Sequence, residues 1–215
     1  MNDAFFQNYA RYVILLCALV GFYCLPKLKS FNAGCFPYFL LLLFLGETVG
    51  YYLGKNGANS ASSNLYIYFL LPVQILFYIW FIAIKALRKP KIAIGLIGLF
   101  TLQFLLEIFI GEGGSGDVRT KSYSFGGILL SILILLFILK LTRGDMVITF
   151  YQNPYFWICI GVAVYYTVAF PFFTYYNTLL NGYKRVFYVY RSITYHLSFS
   201  MYLLFIIGFI CSKKS

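Results

Sequence analysis

Three ionisable side chains, Glu47, Glu107 and His196, fall inside stretches of this chain that are otherwise apolar. In hydrocarbon such a group costs on the order of 2–3 kcal/mol even on lenient insertion scales, so each needs a partner, water or a task. A carboxyl at such a depth can take a proton, a cation or a hydrogen-bonded ligand, and an imidazole can switch charge near neutral pH. Glu47 stands out because it sits beside Gly46, Gly50 and Gly54, the i, i+4, i+8 spacing of small residues that lets helices approach closely. Gln74, Gln103, Tyr166 and His196 reach similar depths from other apolar runs, with Ser200 one turn beyond His196. Glu47, Gln74, Gln103, Glu107, Tyr166 and His196 are therefore the candidate ligand-binding residues.

Each of these has a plainer reading. Glu47 can hydrogen-bond Gln74, Gln103 or a tyrosine and so fix the bundle, and Glu107 can reach headgroups or Lys121 near an interface. A lone histidine on a helix face is commonly a hydrogen-bonded packing residue. The cysteines (Cys17, Cys24, Cys35, Cys159, Cys211) form no CxxC pair and read as buried apolar thiols, and no second histidine completes a metal site. Gly111, Gly113 and Gly116 match GxGxxG, but they follow an apolar helix instead of a strand and carry Glu112 and Asp117, so Gly111–Asp117 reads as a linker. No nucleophile elbow, Walker loop or HExxH occurs. Neither a catalytic residue nor a cofactor is expected, and a non-enzymatic protein is the reading.

The elements that must position these residues are membrane spans. With 61% hydrophobic and 11% charged residues and a mean hydropathy of +0.81, the composition excludes a soluble globule. Seven apolar runs, at about 12–25, 36–53, 64–86, 92–110, 123–141, 155–175 and 192–211, are long enough to cross a bilayer. They leave only short loops, so residues 1–215 read as a single all-α transmembrane domain. The first run lacks the positive leader and small-residue cleavage site of a signal peptide and reads as a span. Lys27, Lys29, Lys85, Arg88, Lys89, Lys91, Lys140, Arg143, Lys213 and Lys214 lie on one side of the membrane. Arg11, Lys55, Arg119, Lys121, Lys184, Arg185 and Arg191 lie on the other. The bias places the N-terminus outside and the C-terminus in the cytoplasm. A net charge of +11 concentrated in such loops is explained by lipid headgroups and topology, not nucleic acid. Lys184, Arg185 and Arg191, in the loop expected before the last span, form a candidate contact for an anion or a lipid.

Pro37-Tyr38-Phe39 and Pro154-Tyr155-Phe156 open the second and sixth runs, an echo expected of parallel three-helix repeats separated by a single helix, as in some small-solute carriers. Three further stretches carry a family resemblance. The first is Glu47 followed by Asn64-Leu65-Tyr66-Ile67-Tyr68 and Phe77-Tyr78. The second is Asn153-Pro154-Tyr155-Phe156-Trp157-Ile158 with Gly161 and Tyr165 or Tyr166. The third runs from Ser200 to Cys211 ahead of the final lysines. In their order and spacing these resemble an uncharacterised family of seven-helix inner-membrane proteins of Bacteroidota, often encoded beside sensor histidine kinases. In place of the family's second acid this chain has Gln74 or its neighbours. The resemblance implies the bacterial cytoplasmic membrane and a signalling association. A sensory or accessory subunit with an outward-facing polar pocket for a small-molecule ligand is the leading expectation, with a membrane partner such as a sensor kinase. A small-solute transporter is the alternative.

Overall fold

The computed structural model describes residues 3–110, 120–143 and 150–213. The Gly111–Asp117 linker, Arg119 and Lys214 lie outside them. Among the described residues the regular structure is all helical, without a strand: α1 Asp3–Tyr23, α2 Leu25–Ser30, α3 Phe36–Lys55, α4 Asn59–Ala86, α5 Pro90–Phe109, α6 Thr120–Thr142, α7 Pro154–Thr174, α8 Tyr176–Gly182 and α9 Lys184–Cys211. Six of them (α3, α4, α5, α6, α7 and α9) are long and apolar enough to cross a membrane. In α1 the polar residues Asp3, Gln7, Asn8 and Arg11 precede an apolar run at residues 12–23. The chain is a multi-pass membrane protein by these helices.

Prolines set many of the boundaries. Pro37, Pro90 and Pro154 occupy first turns, where a missing N–H costs no bond. Asn153 caps α7, its side chain accepting from Tyr155 N at 3.0 Å. Pro26, just past the first apolar run, sits in the first turn of the short α2. Inside α4, Pro72 has no N–H for the carbonyls one turn back, and the helix widens to a π turn at Tyr66–Leu70. The Ile67 carbonyl freed there accepts the Tyr123 hydroxyl of α6 at 2.7 Å, the kind of repair a membrane helix needs. A second π turn, Phe81–Ala86, ends α4. It closes on Arg88 with φ 59°, and Lys140 of α6 donates to the Ala86 and Leu87 carbonyls at 3.0 and 3.3 Å.

Packing arranges six helices in a ring. α1 lies against α3, α3 against α4, α4 against α6, α6 against α7, α7 against α9, and α9 against α1. α5 sits outside, in the groove between α4 and α6. In the most apolar stretch of α4, 50% of residues are buried in protein, against 11% for α5, so α4 is the inner helix and α5 the peripheral one. One end of the ring is closed by aromatic packing. The Phe36 ring lies 4.9, 5.2, 5.7 and 5.8 Å from those of Phe81, Phe205, Phe77 and Phe209. Phe39 stacks on Phe77 at 3.6 Å, and Tyr155 adds its ring to Phe81. This Phe36 end gathers the N-termini of α3 and α7 and the C-termini of α4 and α9.

Candidate functional site

At the opposite end, the Lys55 end, the interior is polar. The glycine ridge of α3 runs antiparallel along the start of α4 in strict register. A Cβ on Gly46 would enter Leu70, one on Gly50 would come within 2.7 Å of the Tyr66 ring, and one on Gly54 would rest 3.7 Å from Ser62 Oγ. Ser62 also donates to the Gly50 carbonyl at 2.8 Å. That closeness brings the Tyr66 hydroxyl to Glu47, donating to Oε2 at 2.6 Å. Tyr66 is the first residue of the π turn, so the bond ties the acid to an irregular part of α4.

Three more elements converge here. Arg11 of α1 is buried, its guanidinium 3.7 Å above the Tyr51 ring, and it acts electrostatically on both Glu47 and Tyr66. From α7 and α9, Tyr165 and Tyr202 lie within electrostatic range of Glu47. Tyr195 of α9 is within range of Tyr66 and accepts from Arg191 Nε at 3.2 Å. The result is a carboxyl among tyrosines, with Arg11 on the Tyr51 ring and Arg191 bonded to Tyr195. Such an arrangement accepts a hydrogen-bond donor or a cation, and Arg11 acts on it electrostatically from over the Tyr51 ring.

Several expectations about position are corrected. Arg11, counted as a loop residue, is inside α1, where Glu47 offsets its charge and its guanidinium lies on the Tyr51 ring. Lys184, Arg185 and Arg191 are not in a loop. α9 starts eight residues earlier than its apolar run, since nothing between 184 and 191 breaks a helix and interfacial cations are tolerated in one. Of the three, Arg191 turns inward to Tyr195, whereas Lys184 and Arg185 are exposed.

The other candidates are distributed elsewhere. Glu107 of α5 caps the start of α6, accepting from the Ser122 and Lys121 amides at 2.7 and 3.2 Å and from the Ser122 hydroxyl. Gln103 stands one turn before it, its carbonyl 3.5 Å from the same hydroxyl. Gln74 lies within range of the buried Tyr78 hydroxyl without reaching hydrogen-bond geometry. Tyr78 in turn meets Tyr166 edge to face, with ring centres 6.1 Å apart. His196 is on the outward face of α9, its Nδ1 2.7 Å from the Ser192 carbonyl. Only Glu47 of the six joins the Arg11–Tyr51–Tyr66 cluster through a described hydrogen bond. No family model, curated protein or solved structure matches the chain.

Proposed function

We propose that the chain is a seven-span protein of the bacterial cytoplasmic membrane, N-terminus outside, acting as a non-enzymatic sensory or accessory subunit. The observation that supports it is the polarised interior, with an acid, two arginines and tyrosines at the Lys55 end and a stack of aromatic rings at the Phe36 end. Helix ends and connections at the Phe36 end carry Lys27, Lys29, Lys85, Arg88, Lys89 and Lys91, which under the positive-inside rule is the cytoplasmic side. The polar cluster then opens toward the periplasm. A small molecule bearing an ammonium or hydroxyl group would compete with Arg11 or Tyr66 for Glu47. Either exchange moves α1 or the π turn of α4, and α4 runs directly into the basic Lys85–Lys91 segment that would face a partner. The resemblance to proteins encoded beside sensor kinases suggests the kind of partner.

The test is a ligand screen on the purified protein, read as thermal stabilisation, together with co-purification of partners from native membranes. A ligand at 100 times its Kd should add about 2.7 kcal/mol to the wild type and nothing to Glu47→Gln. If Glu47→Gln leaves binding and partner recovery unchanged, the reading is wrong.

The ring favours a second reading, a transporter built of parallel repeats. The order α1–α3–α4 is repeated by α6–α7–α9, with α4–α6 and α9–α1 as equivalent seams and α5 as the extra helix. The buried thiols Cys17 and Cys159 serve as probes. In variants retaining one of them, a transporter cycle exposes the thiol to impermeant reagents from both faces. A receptor closed by the Phe36 stack keeps Cys159 protected from the cytoplasmic side.

A further inference from the structure

We propose that the outward face of α9 holds one anionic phospholipid, its phosphate on Lys184 and Arg185 and an acyl chain in the groove below. That face is separate from the Glu47 cluster, since Phe187, Met201, Tyr202 and Phe205 on the other side of α9 make the protein contacts. The groove, about 610 Å³, begins at Arg185 and passes Tyr188, Val189, Ile193 and His196 to Ser200. At 1.5 Å per residue it is about 22 Å long. That is half the full bilayer thickness of about 40–45 Å, the extent of a single lipid from headgroup to chain end. Tyr183 and Tyr188 stand exposed at its mouth, where aromatic side chains mark the headgroup level.

Charge selects the occupant. Between residue 146 and the end of the chain there is no Asp or Glu, so Lys184 and Arg185 present uncompensated positive charge from their own segment. A second copy docked through this face would set the same cations against each other. An anionic headgroup complements them, and Val189 and Ile193 offer the chain an apolar bed. His196 does not spoil that bed, because its ring nitrogen and the Ser200 hydroxyl bond to carbonyls of their own helix, those of Ser192 and His196.

Native mass spectrometry of the full-length protein, exchanged into mixed phosphatidylglycerol and phosphatidylcholine, tests this. The wild type should retain one phosphatidylglycerol in preference to phosphatidylcholine. Lys184→Gln with Arg185→Gln should cut that preference about 25-fold, roughly fivefold per cation. Arg191→Gln, which alters a residue facing Tyr195, should leave it intact, as should the charge-preserving Lys184→Arg with Arg185→Lys. Val189→Trp, filling the groove, should also lose the lipid. The proposal is overturned if the double glutamine variant keeps its preference, or if inorganic phosphate alone displaces the lipid. Cross-linking of two copies of a Val189→Cys variant, with no lipid retained, overturns it equally. Glu47→Gln should not change lipid retention, so the result is independent of the ligand reading.

Discussion

The hydrogen bond between Tyr66 and Glu47 is the narrowest point on which the candidate site rests. Tyr66→Phe leaves a partly buried carboxyl without its donor and should cost about 1–2 kcal/mol, measured as thermal unfolding in detergent. In a Glu47→Gln background the same change should cost less, because the amide can turn its own donor elsewhere. The cycle isolates the coupling between the two side chains. A Tyr66→Phe penalty that is identical in both backgrounds would show that the bond contributes nothing. Glu47 itself was legible in the sequence, since one acid in an apolar run cannot be overlooked. Its partners were not. Tyr66 is one of 21 tyrosines, and only the pairing of Gly50 with Tyr66 across two helices singles it out. Arg11 stands just before its apolar run, so hydropathy alone leaves it in water. What draws it inside is the Tyr51 ring and the charge of Glu47 on another helix.

At the level of elements, the α3–α4 contact makes a graded prediction. Gly46→Ala forces the Leu70 side chain to move and Gly50→Ala pushes the Tyr66 ring, so each should destabilise by about 1–3 kcal/mol. Gly54→Ala makes only an ordinary contact and should be nearly neutral. Gly95→Ala, on the open face of α5, should be neutral or stabilising by up to about 1 kcal/mol through helix propensity. Unfolding temperatures that do not follow this order would contradict the register. Gly50→Ala should weaken ligand binding as well, because it displaces the donor of Glu47. The cap on α6 gives a contrasting case. Glu107→Ala should speed hydrogen exchange at Lys121 and Ser122 and cost about 1 kcal/mol, while leaving binding at Glu47 unchanged. Helix positions were largely readable from apolar runs, but their ends were not. The true start of α9 is hidden because Lys184, Arg185 and Arg191 depress hydropathy without disturbing the helix. The π turn at Tyr66 was also hidden, since its cause is Pro72 acting backward and its remedy, Tyr123, comes from another helix.

For the whole molecule the question is whether α1 crosses the membrane. Helix α1, Asp3–Tyr23, rises about 32 Å, enough for a hydrocarbon core of about 30 Å, but only residues 12–23 are uninterruptedly apolar. Two features argue that it crosses nonetheless. It completes the ring between α3 and α9, burying Ile14, Cys17 and Ala18 against them, and a helix lying in the interface could not do so along this length. The turn ahead of that run contains Arg11, which Glu47 offsets electrostatically and whose head rests on Tyr51, so its desolvation cost is offset inside the bundle. If α1 crosses, the number of crossings is odd and the two ends of the described chain lie on opposite faces. A reporter fused ahead of α1 should then be reached by protease in intact spheroplasts, and one fused after α9 only in inverted vesicles. Both reporters on the same face would leave six crossings and remove Arg11 from the site. Arg11→Leu separates the remaining possibilities, because it lengthens the apolar run while removing the partner of Glu47. The reporter topology should be unchanged, whereas stability should fall by several kcal/mol as the acid loses its compensating charge. A rise in stability would mean that the cluster tolerates the charge for a reason other than holding the ring together, and ligand binding would be the first place to look.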